Sequence, residues 1–342
     1  MKHLHSSRSP INTLFVVLFL VLAAPLGARA DSPDDSNVSD DTSYAQTVPA
    51  LESYIELPLA ELSHEAAEHL AGFEGTIGVA VLVPSRNTIY SANGDGLFPL
   101  ASVAKVIIMA MAMDKAEREE RPLKDQDLGL LEAMITISDN DAASELWRES
   151  GGSPTFSEYL HSLGLTDVEL AQGDYWGDTR ASPRDMALLL DRLVQGQMLD
   201  QEHTGLAIDL LLRVIPEQRW GIAVGETDAS TQGLKVGVKN GWYPDDSGWW
   251  VNSTGFAMLG DGSLAFIIAI LTENQPTITD GMATIEGLAA LIETTLYSEA
   301  VAATFSAPKQ PPITEGVATI EHVTLSGDTP QNSDDDDSPS SE

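Results

Sequence analysis

Leu100-Ala-Ser102-Val-Ala-Lys105-Val-Ile-Ile-Met109-Ala-Met111 reads as a helix that is apolar on every side but for one lysine. A helix of that kind belongs in a protein interior. A lysine carried inside with it is costly unless it has a partner or a task. Ser102 and Lys105 stand at i and i+3 and so share one helix face. The helix start offers a favourable field to a developing oxyanion. A lysine of depressed pKa can take the proton of a serine hydroxyl that is otherwise a weak nucleophile. Alone the pair is a weak signal. Ser306-Ala-Pro-Lys309 repeats the spacing in a different setting, and a serine in the place of Ser102 can equally be an ordinary N-cap.

The flanking segments set the fold class. Leu57–Leu70 has helical spacing, and Thr76–Pro84 and Thr88–Tyr90 form a strand pair around Ser85-Arg86-Asn87. The apolar helix runs from Val103 to about Glu119 and stops near Arg121-Pro122. Helices follow over Leu128–Ile137, Asp141–Glu149, Thr155–Leu163, Pro183–Val194 and Glu202–Val214. Strands come next over Leu234–Val238, Trp249–Leu259 and Leu264–Thr272, and a last helix over Met282–Tyr297. This order predicts an α+β fold. It is an antiparallel five-stranded sheet covered on one face by the N- and C-terminal helices, with an all-helical subdomain inserted after the second strand.

Two further motifs fall on this frame. Ser138-Asp139-Asn140 lies in a break between helices, where a hydroxyl and an amide can relay a proton and hold a substrate amide; a helix cap accounts for the tripeptide as well. Lys239-Asn240-Gly241 ends a strand whose alternation puts Leu234, Val236 and Val238 on one face and Lys235, Gly237 and Lys239 on the other. There a lysine can bind a carboxylate, or simply guard a sheet edge. Lys235-Val236-Gly237 is a competing match. Residues 51–303 hold only Lys105, Lys115, Lys124, Lys235 and Lys239, so two lysines in the right motifs, in order and on the right elements, carry weight.

Together the three motifs resemble the S-x-x-K, S-D-N and K-[ST]-G set of class A β-lactamases and penicillin-binding proteins, and the resemblance covers roughly residues 52–300. It implies that Ser102 attacks an acyl carbonyl, Lys105 is the general base, and Ser138 passes a proton to the leaving nitrogen. It also implies that Asn140 binds the substrate side-chain amide and Lys239 the carboxylate, with Asn240 and Gly241 beside it. The N–H groups of Ser102 and Trp242 would form the oxyanion hole. The chain departs from the family in two places. Asn240 stands where the family has Thr or Ser. The loop Leu170–Pro183 lacks the Glu-x-x-x-Asn segment that activates the deacylating water in class A enzymes. Glu169 and Asp174 are the substitutes on offer, although loop acids usually solvate or cap. Asp178 suits an ion pair with Arg180. His64 and His69 are five apart, miss the i, i+4 zinc spacing and read as an exposed helix face. Trp242, Trp249 and Trp250 either line a cleft or pack the sheet. No cofactor and no metal is expected.

The rest of the chain bounds the setting. Residues 1–30 have a basic start, an apolar run over Leu14–Gly27 and Ala28-Arg-Ala30, the pattern of a signal peptide with Asp31 as the new N-terminus. An uncleaved anchor is the alternative. Residues 31–50 read as a disordered acidic linker, 51–303 as the hydrolase domain and 304–342 as a disordered acidic tail. The net charge is −34, most of it in the domain itself, which repels nucleic acid and anionic lipid. There is no cysteine, hence no disulfide and no lipid-modified cysteine. The expectation is a secreted or cell-envelope monomer without a membrane span. It would be a serine hydrolase acting on a β-lactam or a related amide or ester. A peptidoglycan D-alanyl-D-alanine peptidase and a catalytically silent envelope binding protein are the alternatives.

Overall fold

The computed structural model describes residues 54–73, 75–170, 175–226 and 234–306. The expected signal peptide, the acidic linker, Asp174 and the tail beyond 306 lie outside the described residues. In chain order the elements are β1 (Ile55–Pro58), α1 (His64–Ala71), β2 (Thr76–Val83), β3 (Thr88–Ala92) and β4 (Phe98–Pro99). A 3₁₀ turn, Ala101–Ala104, leads into α2 (Lys105–Arg118), followed by α3 (Asp125–Thr136), α4 (Asn140–Glu149) and α5 (Gly152–Ser162). The short β5 (Val168–Glu169) and β6 (Arg180–Ala181) flank a 3₁₀ turn at Trp176–Asp178. Then come α6 (Pro183–Val194), α7 (Gln201–Leu212), β7 (Lys235–Asp245), β8 (Gly248–Met258), β9 (Leu264–Glu273) and α8 (Ile278–Ser306).

The α+β class and the helical insert between the early and late strands are as expected; the sheet differs in detail. Among the described residues it has six strands, in the order β1-β3-β2-β9-β8-β7, with β4, β6 and β5 forming a separate small sheet. The added strand, β1, pairs parallel to β3, so the sheet is mixed. Residues 57–70 were expected to be one helix. In fact Pro58 and the 3₁₀ turn Leu59–Glu61 separate a strand from a helix that begins only after Ser63, whose hydroxyl accepts the Ala66 N–H at 3.2 Å. The last helix continues to Ser306, past both the expected helix end and the start of the expected tail.

The central strands explain the layering. Residues 78–83 of β2 and 266–272 of β9 are buried without alternation, which requires cover on both faces. Register assigns the faces. A Cβ on Gly78 would run into Pro183 of α6, so that face belongs to α6. Val79 pairs with Ile270, and Ile270 with Ser253. Ser253 lies beside Gly221, which itself abuts Ile285 of α8. That face therefore belongs to α8 and to α1, which packs on it through His69 and Gly287. His69 is thus turned inward, with its ring edge-on to Phe73 at 4.6 Å, and only His64 matches the expected exposed face.

Edge strand β7 inherits this parity. Gly241 pairs with Asn252 and Asn240 with Ser253, so Lys239 and Gly241 look towards the α6 side and Asn240 towards the α8 side. Asn252, fully buried, donates from Nδ2 to the carbonyls of Pro99 (2.7 Å) and Leu100 (3.2 Å) and accepts the Thr272 N–H at 2.8 Å. It ties two strands to the turn that carries Ser102. Asn252→Ala leaves those buried groups unpaired and is expected to cost about 2–4 kcal/mol. Urea unfolding reads it as a lowered midpoint with unchanged slope; an unchanged midpoint contradicts the assigned role.

Candidate active site

Ser102 sits half-buried in the turn before α2, and Ala101 before it adopts a left-handed φ of +48°. That conformation is strained for a residue with a Cβ and persists only where the surroundings impose it. Here β4 pairs with β6, Leu100 N–H donates to Thr179 O at 2.8 Å, and Asn252 holds both preceding carbonyls. From the other side comes Gly241, where a Cβ would lie 2.8 Å from the Ser102 nitrogen. Only glycine lets β7 approach the turn so closely.

Lys105 is completely buried on the first turn of α2. Its Nζ donates to Ser138 O (2.6 Å), Ser138 Oγ (3.0 Å) and Asn140 Oδ1 (2.7 Å). Ser138 occupies the α3–α4 turn, again with a left-handed φ, of +60°, which turns its carbonyl and hydroxyl to the same amine. Lys239 is also completely buried, and its Nζ donates to Ser138 Oγ at 3.0 Å and to Asn240 O at 3.1 Å. The three sequence motifs therefore converge on one hydroxyl. Lys235 is exposed, which leaves Lys239 as the lysine of the third motif.

Burial, and next the neighbouring Lys239 cation, bring the Lys105 amine down to about 6, against a weaker opposing pull from Asp139. Burial alone brings Lys239 down to about 7. Near neutral pH Lys105 is thus an amine with two N–H groups and a lone pair. Of its three partners the Ser138 carbonyl and the Asn140 amide oxygen can only accept. The Ser138 hydroxyl can also donate, so the lone pair is left for a hydroxyl.

The remaining expected residues are placed differently. Asn240 faces away from the lysines: its Nδ2 donates to Gln218 O (2.9 Å) and Trp220 O (3.0 Å). Both of its N–H groups are spent on holding the 218–220 loop. The Trp242 side chain shares that face and lies 6.0 Å from the Trp220 ring. Glu169 is exposed and pairs with Arg180 only through β5–β6 backbone register. Asp178 does not bond Arg180, because the guanidinium is taken by Glu273 (2.6 Å) and Leu97 O (2.7 Å). Burial and the nearby Asp245 instead raise the Asp178 carboxyl. Asp139 is the N-cap of α4, accepting Ala142 N–H at 2.8 Å. Among the described residues no carboxylate is hydrogen-bonded to Lys105. A group that sequence reasoning missed is Trp176, whose ring centroid lies 5.1 Å from Lys105 Nζ; nothing in its local sequence marks it. Elsewhere, Glu117, Asp200 and His203 cluster, but their groups bond one another (His203 Nδ1 to Glu117 Oε1, 2.6 Å) in capping α7.

A mixed sheet between α6 and the α1/α8 layer, a helical insert, and two buried lysines that meet at Ser138, one of them directly after the turn that carries Ser102, are the features of the β-lactamase/transpeptidase-like serine hydrolase superfamily. The chain belongs to the β-lactamase enzyme family, which it matches over residues 61–127 and 126–296. It is 28% identical over 200 residues to the putative lipoprotein LppW of Mycobacterium tuberculosis, a match covering 56% of this chain and 62% of that protein. It is 26% identical over 216 residues to β-lactamase L2 of Stenotrophomonas maltophilia, covering 52% of this chain and 64% of that one. The chain thus spans less than two thirds of these relatives. Among solved structures, PBP-A superposes with a TM-score of 0.61 at 20% identity, over 71% of this chain and 98% of that one. A class A β-lactamase from Bacteroides cellulosilyticus superposes at 0.59 and 21% identity, over 71% and 99%.

The buried lysines predict a pH dependence of stability. A lysine whose folded pKa lies below its unfolded value binds fewer protons when folded, so stability rises with pH between the two values. For Lys105 that window runs from about 6 to 10.5. Lys105→Met removes the penalty. The variant's stability advantage over wild type should be largest near pH 6 and shrink steadily towards pH 9 in urea titrations. An advantage that grows with pH contradicts the assignment.

Proposed function

We propose that the chain is an exported acyl-serine hydrolase that reacts with a β-lactam or a related amide or ester. The observation that carries this reading is the Lys105 amine, buried, lowered to about 6 and three residues on from Ser102. In this reading Ser102 Oγ attacks the acyl carbonyl while the Lys105 lone pair takes the serine proton. The Ser102 and Trp242 N–H groups receive the oxyanion. The C–N bond breaks as Ser138 hands its proton to the leaving nitrogen and regains one from a lysine ammonium. Water then cleaves the ester, releasing the acid and restoring the Ser102 hydroxyl. Asn140 keeps Lys105 in place and binds the substrate amide, and Lys239 meets the carboxylate.

The exposure of Glu169 favours a long-lived acyl-enzyme of the penicillin-binding, peptidase type over fast turnover through that carboxylate. One solved relative of the same fold, an L158E mutant of PBP-A, is itself an acyl-enzyme complex with penicillin G.

Intact mass spectrometry of the chain from Asp31 with benzylpenicillin tests the reading. A single adduct on wild type and none on Ser102→Ala is expected; equal labelling of both removes Ser102 from the reaction. The net charge of −34 adds a kinetic test. Like charges repel at long range and salt screens them, so acylation by this anionic drug should quicken about two- to threefold from 20 to 200 mM salt. A rate that falls over that range contradicts long-range repulsion.

A further inference from the structure

The 3₁₀ turn Trp176–Asp178 is fastened to the turn that carries Ser102. Backbone pairing of β6 with β4, the Leu100–Thr179 hydrogen bond, and Gly177 lying against the Ala101 backbone hold it there. Arg180, locked to Glu273 and to Leu97 O, anchors its far end. From this strap the indole of Trp176 reaches over Lys105 Nζ at 5.1 Å, and its Nε1 donates to Ser144 Oγ of α4 at 3.2 Å. Lys105 is then enclosed by Ser138 and Asn140 on one side and by the indole on another, with its Nζ facing Lys239 across the Ser138 hydroxyl. Its charged neighbours are Lys239 on β7 and Asp139 ahead of α4.

We propose that Trp176 is a positioning residue that keeps water off Lys105, so that the Ser102 acyl-enzyme forms readily and is hydrolysed slowly. This deepens the acyl-serine reading and rests on it. Hydrolysis of the ester requires a water that loses a proton to a base while its oxygen joins the carbonyl carbon. The Ser102 oxygen then leaves and takes that proton back. Of the two buried amines, Lys105 has the lower proton affinity and stands three residues on from Ser102, which makes it the base this reading assigns to that proton, and a flat indole ring lies over it. The indole acts on the proton affinity of Lys105 in two opposed ways. A ring face attracts an ammonium, which favours the charged form, whereas excluding water disfavours it. Burial is the largest influence on this amine, so uncovering it should raise its proton affinity.

Two measurements on wild type, Trp176→Ala, Trp176→Phe and Ser144→Ala test this. The first is NMR titration of the Lys105 side chain, which needs no substrate. The midpoint should move upward in Trp176→Ala by about one pH unit, return towards wild type in Trp176→Phe, and move part of the way in Ser144→Ala, which loosens the ring without removing it. The second is the lifetime of the benzylpenicillin adduct by mass spectrometry, expected to shorten about tenfold in Trp176→Ala and to recover in Trp176→Phe. Should Trp176→Ala not fold, Ser144→Ala carries both tests with the same signs. An unmoved midpoint or a wild-type lifetime in variants that still form the adduct overturns the role of Trp176 alone. No adduct on any protein, wild type included, overturns the acyl-serine reading and the lifetime claim with it, whereas the titration then still decides whether the ring keeps Lys105 dry.

Discussion

Two buried lysines meeting at one half-buried hydroxyl is the arrangement on which the rest of this structure depends. Lys105 and Lys239 both reach Ser138 Oγ at 3.0 Å, and both are completely buried. Two adjacent ammonium groups in an interior would repel strongly, so the site is tolerable because burial lets the amines lose protons near neutral pH. The loss of protons that makes the arrangement tolerable is also what the proposed reaction asks of Lys105. Three separate elements must meet to build it, and two of them do so through left-handed residues, Ala101 and Ser138. Strain at Ala101 is held by backbone pairing and by Asn252, and strain at Ser138 by the Lys105 bond to its carbonyl and by Asp139 N–H donating to Ala133 O.

Much of this was legible in the sequence, for identifiable reasons. The all-apolar run around Lys105 foretold a buried lysine because helix burial follows composition directly. The order of strands and helices foretold the class because hydrophobic periodicity survives in the late strands. The added strand Ile55–Pro58 was missed because its four residues are too few to show a period, and because Leu57 to Leu70 carries apolar residues at helical spacing across what proves to be two elements. Trp176 was missed because its role comes from a contact with a residue 71 positions earlier in the chain, set by tertiary packing alone. The Asp178–Arg180 pair failed for a related reason: near neighbours in sequence lost to Glu273, which the fold brings within 2.6 Å.

Asn240 is the instructive case, since strand alternation already contained the answer. A strand that turns Lys239 and Gly241 towards the serine must turn Asn240 and the Trp242 side chain the other way. The motif thus splits into two jobs. Its odd residues meet the chemistry: Lys239 reaches Ser138, and Gly241 gives the Ser102 nitrogen room. Its even residue fastens the 218–220 loop, two carbonyls for two amide hydrogens. A hydroxyl has a single hydrogen and could not hold both. The asparagine is therefore suited to clamping a loop and has no N–H left for a substrate.

That division shifts the electrostatics of recognition. In the proposed acyl-serine reading, with the Asn240 amide hydrogens committed, a substrate carboxylate meets Lys239, an amine lowered to about 7 by burial. An incoming anion favours the protonated form of such an amine, so binding and proton uptake are coupled. The same proton, once on Lys239, repels one on Lys105, which keeps the neighbouring base free. In that reading, and in an acidic chain with few lysines, carboxylate binding and proton uptake by Lys239 raise the positive charge of the site together.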